Sequence, residues 1–313
     1  MSPESKISFL KDRAAQLKAV RTFFDQRQVM EVDCPLLGQR PSIDLHIDLF
    51  PVAPKTGNTK WLYSSPEYSM KCLLALGLKD IYQLSHVFRS GEKGNQHNPE
   101  FTLIEWYRCT CPFNTFLEEV LSLIHLFLGP LPYTIHSYFE IFEKITGLSY
   151  HACSNSALAD LAQRKGIDLN TQFSQEEQID LIWSYLIQPT LGQHGLSVII
   201  DYPVEQACLA QTTIKHGQRI AERFEVFYKG TELGNGYHEL QDPVELKKRL
   251  EQANQQRIKY NKTPFPIDPF FIESHVKGLP DCYGIAVGFD RLMMLRHKVD
   301  SIDAVLPFTW EVS

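Results

Sequence analysis

Arg89 ends a run, Ile81 to Phe88, in which apolar and polar residues mix, and Glu105 and Tyr107 stand on a second such run, Phe101 to Tyr107. Between them lie Gly91, Gly94, Asn95, Asn98 and Pro99, a cluster of turn formers, with Glu92 and Lys93 close behind the arginine. Two strands and a loop are predicted. An arginine at such a strand end can fork two N–H bonds onto a phosphate, and its charge does not titrate away. Taken alone, a solvated charged hairpin tip, a common feature, is the better explanation of this stretch.

Three further stretches carry chemistry. Glu225, Glu232 and Glu239 are seven apart, with Gly230, Gly234 and Gly236 to bend the backbone and Asn235 among them. Such oxygens can hold Mg²⁺ or receive an amine, and ordinary glutamates on an edge hairpin would look the same. Ser65-Pro66-Glu67 stands where a strand hands over to a helix of about residues 68–76. A glutamate there suits the helix dipole, and it also suits an ammonium at a pocket wall. Finally, a small-residue strand from Gly284 to Gly288 runs into a helix opening near Phe289. Gly288 allows a ligand close to the backbone. Arg291 sits in the first turn, where the dipole favours negative charge, and this hints at an anion partner.

The elements that position these residues are legible in part. Ile7, Leu10, Leu17, Val20 and Phe24 predict a helix over residues 6–29, followed by an extended stretch ending at Pro35. Ile43, Leu45, Ile47 and Leu49 alternate with Asp44, His46 and Asp48, which predicts a half-exposed strand; a solvated face suits His46 better than a metal site. Residues 113–128 read as a buried helix, and 138–195 as a mostly helical insertion rather than a separate domain. Residues 196–203 read as a buried strand closed by Pro203, and 243–261 as a charged surface helix.

The 313 residues suffice for a large core. A net charge of −6 gives no global basic footprint of the kind a general nucleic-acid binder carries. Seven scattered cysteines without a C-x-x-C pair read as reduced, mostly buried thiols of a cytosolic protein. No apolar run has the length of a signal peptide or a membrane span.

In register, F-R-S-G-E with H-N-P-E-F-T and E-W-Y resembles motif 2 of the class II lysyl-type synthetases. G-I-A-V-G-F-D-R-L resembles their motif 3, E-L-G-N-G-Y-H-E-L their amino-acid and metal-binding strand, and the opening helix–strand–proline unit their motif 1. The motif 1 helix begins near Lys6, without room for the anticodon-binding barrel of lysyl-tRNA synthetases. The chain therefore resembles the truncated lysyl-tRNA synthetase homologues that ligate a lysine, typically (R)-β-lysine, to a lysine of translation elongation factor P.

That resemblance implies an α+β class II synthetase catalytic fold, an antiparallel sheet flanked by helices, as one domain over 1–313. It implies ATP and Mg²⁺, a cytoplasmic homodimer formed through motif 1, no membrane and no tRNA partner. It implies that Arg89 and Arg291 are catalytic, holding the α- and γ-phosphates of ATP, with Phe101 stacked on adenine and Asn98 nearby. Glu92, Glu232, Leu233 and Gly288 belong to the same ATP set, and Glu225 and Glu232 to the metal. Ser65, Pro66 and Glu67 would belong to the substrate set, Glu67 taking the backbone-side amine of the lysine substrate, Glu239 and Tyr107 its side-chain ammonium, and Asn235 its carboxylate.

Two departures stand out. Gly91 occupies the place of the glutamate in the usual R-x-E, so the adenine contact of Glu92 is in question. Ala286 replaces a glycine of lysyl-synthetase motif 3; one methyl biases one substrate against another by only about 1–3 kcal/mol. A stand-alone asparagine synthetase-like enzyme is a competing reading, but it would need a basic pocket where Glu67, Glu105 and Glu239 stand. A non-catalytic paralogue would be expected to lose Arg89, Arg291, Glu225 or Glu232, and all four are present.

Overall fold

The computed structural model describes residues 3–169 and 173–313. These divide into two compact units, Met1–Pro130 with His238–Ser313, and Leu131–Tyr237.

In the first unit the strands run in the order Met30–Glu31, Ile81–Phe88, Glu100–Cys109, Cys282–Gly288. The central hairpin is in register from Ile81↔Tyr107 to Phe88↔Glu100, as the alternation around its turn formers requires. Cys282–Gly288 adds antiparallel on the far side, pairing Gly284 with Tyr107, Ala286 with Glu105 and Gly288 with Leu103. Side chains alternate across a sheet, so Phe101, Glu105 and Tyr107 share one face. At about 3.3 Å per residue, Phe101 and Glu105 stand roughly 13 Å apart along the strand.

Helix Pro3–Asp25 packs its Phe24 ring on Tyr82, centroids 4.2 Å apart. It also sends buried Arg13 into the sheet. Arg13 pairs with Asp290 and donates to Thr102 Oγ1 at 2.7 Å, while Asp290 accepts the Thr102 amide at 2.6 Å. This lattice fixes the start of helix Phe289–His297, and with it the backbone of Arg291, to the hairpin strand. A buried charge is tolerated because both carboxylate oxygens are paired.

The second unit orders its strands Thr231–His238, Arg223–Tyr228, Leu196–Ile200, Tyr133–Ser137. Lys229 and Gly230, with φ +51° and +74°, make the two-residue turn of its hairpin. Helices Tyr138–Thr146, Asn155–Lys165 and Gln175–Ile182 surround an aromatic core in which Tyr138 stacks on Trp183 at 4.0 Å. The expected α+β class forms, with antiparallel pairs dominating; Met30–Glu31 and Tyr133–Ser137 pair in parallel.

Some expectations need correction. Residues 43–49 are a loop rather than a half-exposed strand. Asp44 Oδ1 accepts the amides of His46 and Ile47, and buried Arg257 donates to the Asp44 and Ile47 carbonyls and to Asp48. An aspartate side chain that captures amides two and three residues on competes with strand pairing, and the apolar alternation concealed it. Only Cys34, Cys72 and Cys282 are buried; Cys109, Cys111 and Cys153 are half-buried and Cys208 is exposed, all seven being free. The hairpin Thr212–Lys215/Gln218–Ala221 was not foreseen, because its turn, His216-Gly217 at positive φ, joins strands too polar to stand out.

Candidate active site

Helix Glu67–Ala75 starts at Pro66, and its first turn presents Glu67. One turn on, Lys71 points the same way, as positions i and i+4 must. Its ammonium lies 2.7 Å from Glu67 Oε1 and 2.6 Å from Glu239 Oε2, and the Lys71 and Glu239 side chains are each 1 % exposed. From the hairpin strand, Glu105 accepts the Ser65 hydroxyl at 2.6 Å and the Tyr107 hydroxyl at 2.7 Å. Ser65 Oγ also accepts the Glu67 backbone amide at 2.9 Å, which ties the Glu105 carboxylate to the start of helix Glu67–Ala75. The sheet therefore brings together Ser65, Glu67, Tyr107 and Glu239, all expected in the substrate set.

The electrostatics follow from burial. Burial, aided by the Glu67 charge, pushes the Glu105 carboxyl up to about 7, against the pull of the Ser65 and Tyr107 bonds. Burial likewise raises Glu239 to about 8, although Lys71 pulls it down. Burial alone would lower Lys71, but Glu239 and then Glu67 reverse the direction and hold it protonated. The cluster is three carboxylates around one ammonium, a concentration of buried negative charge that protons or a cationic ligand must balance.

Gly284 makes room for this cluster. A Cβ there would overlap Glu239 Oε1 and the Tyr107 ring. Ala286, directly opposite Glu105, shares its face, as a substituted pocket floor requires.

At the other end of the hairpin, the Arg89 guanidinium lies 5.1 Å over the Phe101 ring, with Glu92 Oε2 3.6 Å away. Glu92 thus turns back onto Arg89. Gly91 has φ +80°, a conformation that glycine adopts freely and glutamate does not, so the departure at this position is matched to the backbone. Asn98 is buried, donating to the Glu100 carbonyl at 2.6 Å and accepting the Trp310 amide at 3.2 Å. It holds the chain's last segment against the hairpin. Arg291 Nη2 stands 2.8 Å from His97 Nε2. Gly288 immediately precedes that helix.

In the second unit, Glu225 pairs with Asn235 across the hairpin, and a bulge between Val226 and Phe227 shifts the register so that Phe227 faces Glu232. Glu225 accepts the Tyr202 hydroxyl at 2.6 Å and pairs with Arg223, whose Nε also reaches Asn235 Oδ1 at 3.2 Å. Burial raises Glu225; Arg223 opposes this and the neighbouring Glu232 adds to it. Leu233 is in the core, so only its backbone is available to a ligand.

The residues suit the groups the resemblance implies. Arg89 Nε is a buried donor without a hydrogen-bond partner, beside an aromatic ring, as a phosphate with a stacked base would use. Among the described residues no group of three or more His, Cys, Asp or Glu is arranged to hold a metal ion by itself. The two carboxylates of the second unit suit a Mg²⁺ that takes one or two protein oxygens and otherwise phosphate and water.

Several members of these clusters were not assigned a role from sequence. Lys71 was detectable, four residues after Glu67 on a helix. Arg223 lies two from Glu225, on the same strand face. Tyr202 left no local signal, and His97 and Gly284 stand in visible motifs but meet their partners Arg291 and Glu239 only through the fold.

A hairpin carrying arginine and phenylalanine at one end and buried carboxylates at the other, with a second arginine on a strand-to-helix junction, defines a class II synthetase-type catalytic domain. The family model for tRNA synthetases class II (D, K and N) matches residues 2–311. Curated relatives named elongation factor P–(R)-β-lysine ligase include one from Haemophilus ducreyi, 36% identical over 98% of this chain and 95% of its own length. Another, from Haemophilus influenzae, is 37% identical over 98% and 96%, and one from Photobacterium profundum is 37% identical over 99% and 98%. The chain belongs to the elongation factor P (R)-β-lysine ligase family within the class II tRNA synthetases. Among the described residues no helix is long and apolar enough to cross a membrane.

Proposed function

We propose that the chain activates lysine or (R)-β-lysine with ATP as the aminoacyl adenylate and transfers it to a lysine side chain of elongation factor P. The observation that carries this reading is the carboxylate cluster of buried Glu105 and Glu239 with half-buried Glu67, which suits a substrate bearing two ammonium groups. The relatives' names supply the acceptor and the β-isomer.

In the first step a substrate carboxylate oxygen attacks the α-phosphorus in line, and pyrophosphate leaves. Arg89 holds the α-phosphate and Arg291 the γ-phosphate, while Phe101 stacks on the base. Ser65, Glu67, Glu239 and Tyr107 hold the amines, and Asn235 holds the carboxylate until it reacts. Mg²⁺ bound by Glu225 and Glu232 would neutralise phosphate charge. The protein's contribution is mainly position and charge compensation. In the second step the acceptor's deprotonated lysine amine attacks the acyl carbon, AMP leaves, and an amide forms.

The test is ATP–pyrophosphate exchange with α-lysine, (R)-β-lysine and other amino acids, then mass spectrometry of elongation factor P after incubation. Lysine-dependent exchange and a mass gain of one lysyl group are expected. Exchange without transfer would reject elongation factor P as acceptor and bring tRNA forward; aspartate-dependent exchange would favour the asparagine synthetase-like reading.

Two expectations follow. Glu105 and Glu239 hold protons near neutrality, whereas a diammonium ligand pairs with their ionised forms, so binding expels protons. The KM for lysine should therefore fall as pH rises from about 6 to about 8.5. Stability runs the opposite way: these raised carboxyls stabilise the free protein below their unfolded value and lose that contribution as pH climbs through about 7 and about 8. A lysine KM flat across this window at saturating ATP would contradict the charge assignment. We also propose a cytoplasmic homodimer through the motif 1 region; light scattering should give twice the 36.0 kDa chain mass, and a monomer would refute it.

A further inference from the structure

We infer that Lys71 is a specificity-determining residue: its buried ammonium aims Glu67 and Glu239 and cancels one of three carboxylate charges, leaving a deficit of two that a diamino acid fills. The inference deepens the proposed function and rests on it.

The geometry is that of an internal counter-ion. Lys71 is 1 % exposed and bridges a carboxylate on its own helix to Glu239, which precedes helix Pro243–Lys259 in the chain. Glu105 is held separately by Ser65 and Tyr107. With every group ionised, three carboxylates and one ammonium sum to −2. The other titratable neighbours do not change this sum. Tyr107 is held neutral by burial, and so is Cys282, through its bond with Cys109 and burial. His275, on helix Pro269–Gly278, is pushed down to about 4 by burial and is neutral as well.

A lysine whose carboxylate is held elsewhere brings two positive charges, and norleucine, of nearly the same shape, brings one. The pocket therefore reads charge number as well as length. Removing Lys71 takes away the cation that draws Glu239 toward its ionised form, so this carboxyl keeps its proton to higher pH. A neutral carboxyl attracts an ammonium far less than an ionised one. The loss should fall on the amino acid and not on ATP.

The experiment compares the full chain with Lys71→Met, nearly isosteric and neutral, and with Lys71→Arg, which retains the charge. In Lys71→Met the lysine KM at neutral pH should rise about a hundredfold, and recover in part at higher pH, while the ATP KM stays within about threefold. Exchange at high concentrations of both substrates should show lysine losing its advantage over norleucine. Lys71→Arg should recover much of that preference. Thermal melts confirm folding of each variant. A folded Lys71→Met that keeps its lysine KM and its lysine/norleucine ratio overturns the inference. So does a parallel, pH-independent rise in both KM values, the mark of a purely structural role. Absence of lysine-dependent exchange in the unmodified chain would instead remove the functional reading itself.

Discussion

Arg291→Ala should lower ATP–pyrophosphate exchange by about a thousandfold, because an arginine on the γ-phosphate of the leaving pyrophosphate acts where charge builds up in the transition state. Its guanidinium reaches His97 at 2.8 Å from the first turn of helix Phe289–His297. The helix start does not depend on that side chain. Asp290, one residue earlier, is locked between Arg13 and Thr102. Alanine is moreover the better helix former, and it removes a cation from the positive end of the dipole. The thermal midpoint should therefore stay within a few degrees, corresponding to about 0.5 kcal/mol or less. A variant with exchange within about threefold of the parent would remove Arg291 from the phosphate site.

Gly284→Ala should have the second largest effect, confined to the amino acid. Its φ is not the constraint. The added Cβ would overlap Glu239 Oε1 and the Tyr107 ring, and both groups are buried and fixed, the first by Lys71 and the second by its bond to Glu105. Neither can step aside without breaking the carboxylate cluster. Overpacking of this kind costs about 1–3 kcal/mol of stability, and a displacement of about 1 Å in the pocket costs about a hundredfold in turnover efficiency. The expected result is a folded protein with the lysine kcat/KM about a hundredfold lower and an ATP KM nearly unchanged. Denaturant titration and exchange kinetics measure both parts. An unchanged lysine kcat/KM would mean that the amine pocket lies elsewhere.

Much of the first unit was legible because its signals are local. Phe101, Glu105 and Tyr107 lie on one of two strands joined by a cluster of turn formers, with Arg89 just past the end of the other, so their placement follows from the hairpin itself. The junction of Gly288 with helix Phe289–His297 was visible as small residues giving way to an apolar helix. Loop 43–49 failed because alternation of apolar and polar residues is necessary for a half-buried strand but not sufficient, and Asp44 turns its own amides away from a ladder.

The sequence by itself determined the residue types, the motifs and their order, and with them the α+β class and the family. It also placed an arginine at the hairpin and a glutamate at the helix start, since both depend on neighbours a few residues away. Tertiary structure alone decided what those groups do electrically. Lys71 and Glu239 are 168 positions apart in the chain, yet their charges stand 2.6 Å apart in a space that water does not reach. Gly284 matters only because the sheet sets it opposite Tyr107. Charge balance and steric room in a buried site are properties of groups that the fold brings together, and a local pattern carries neither.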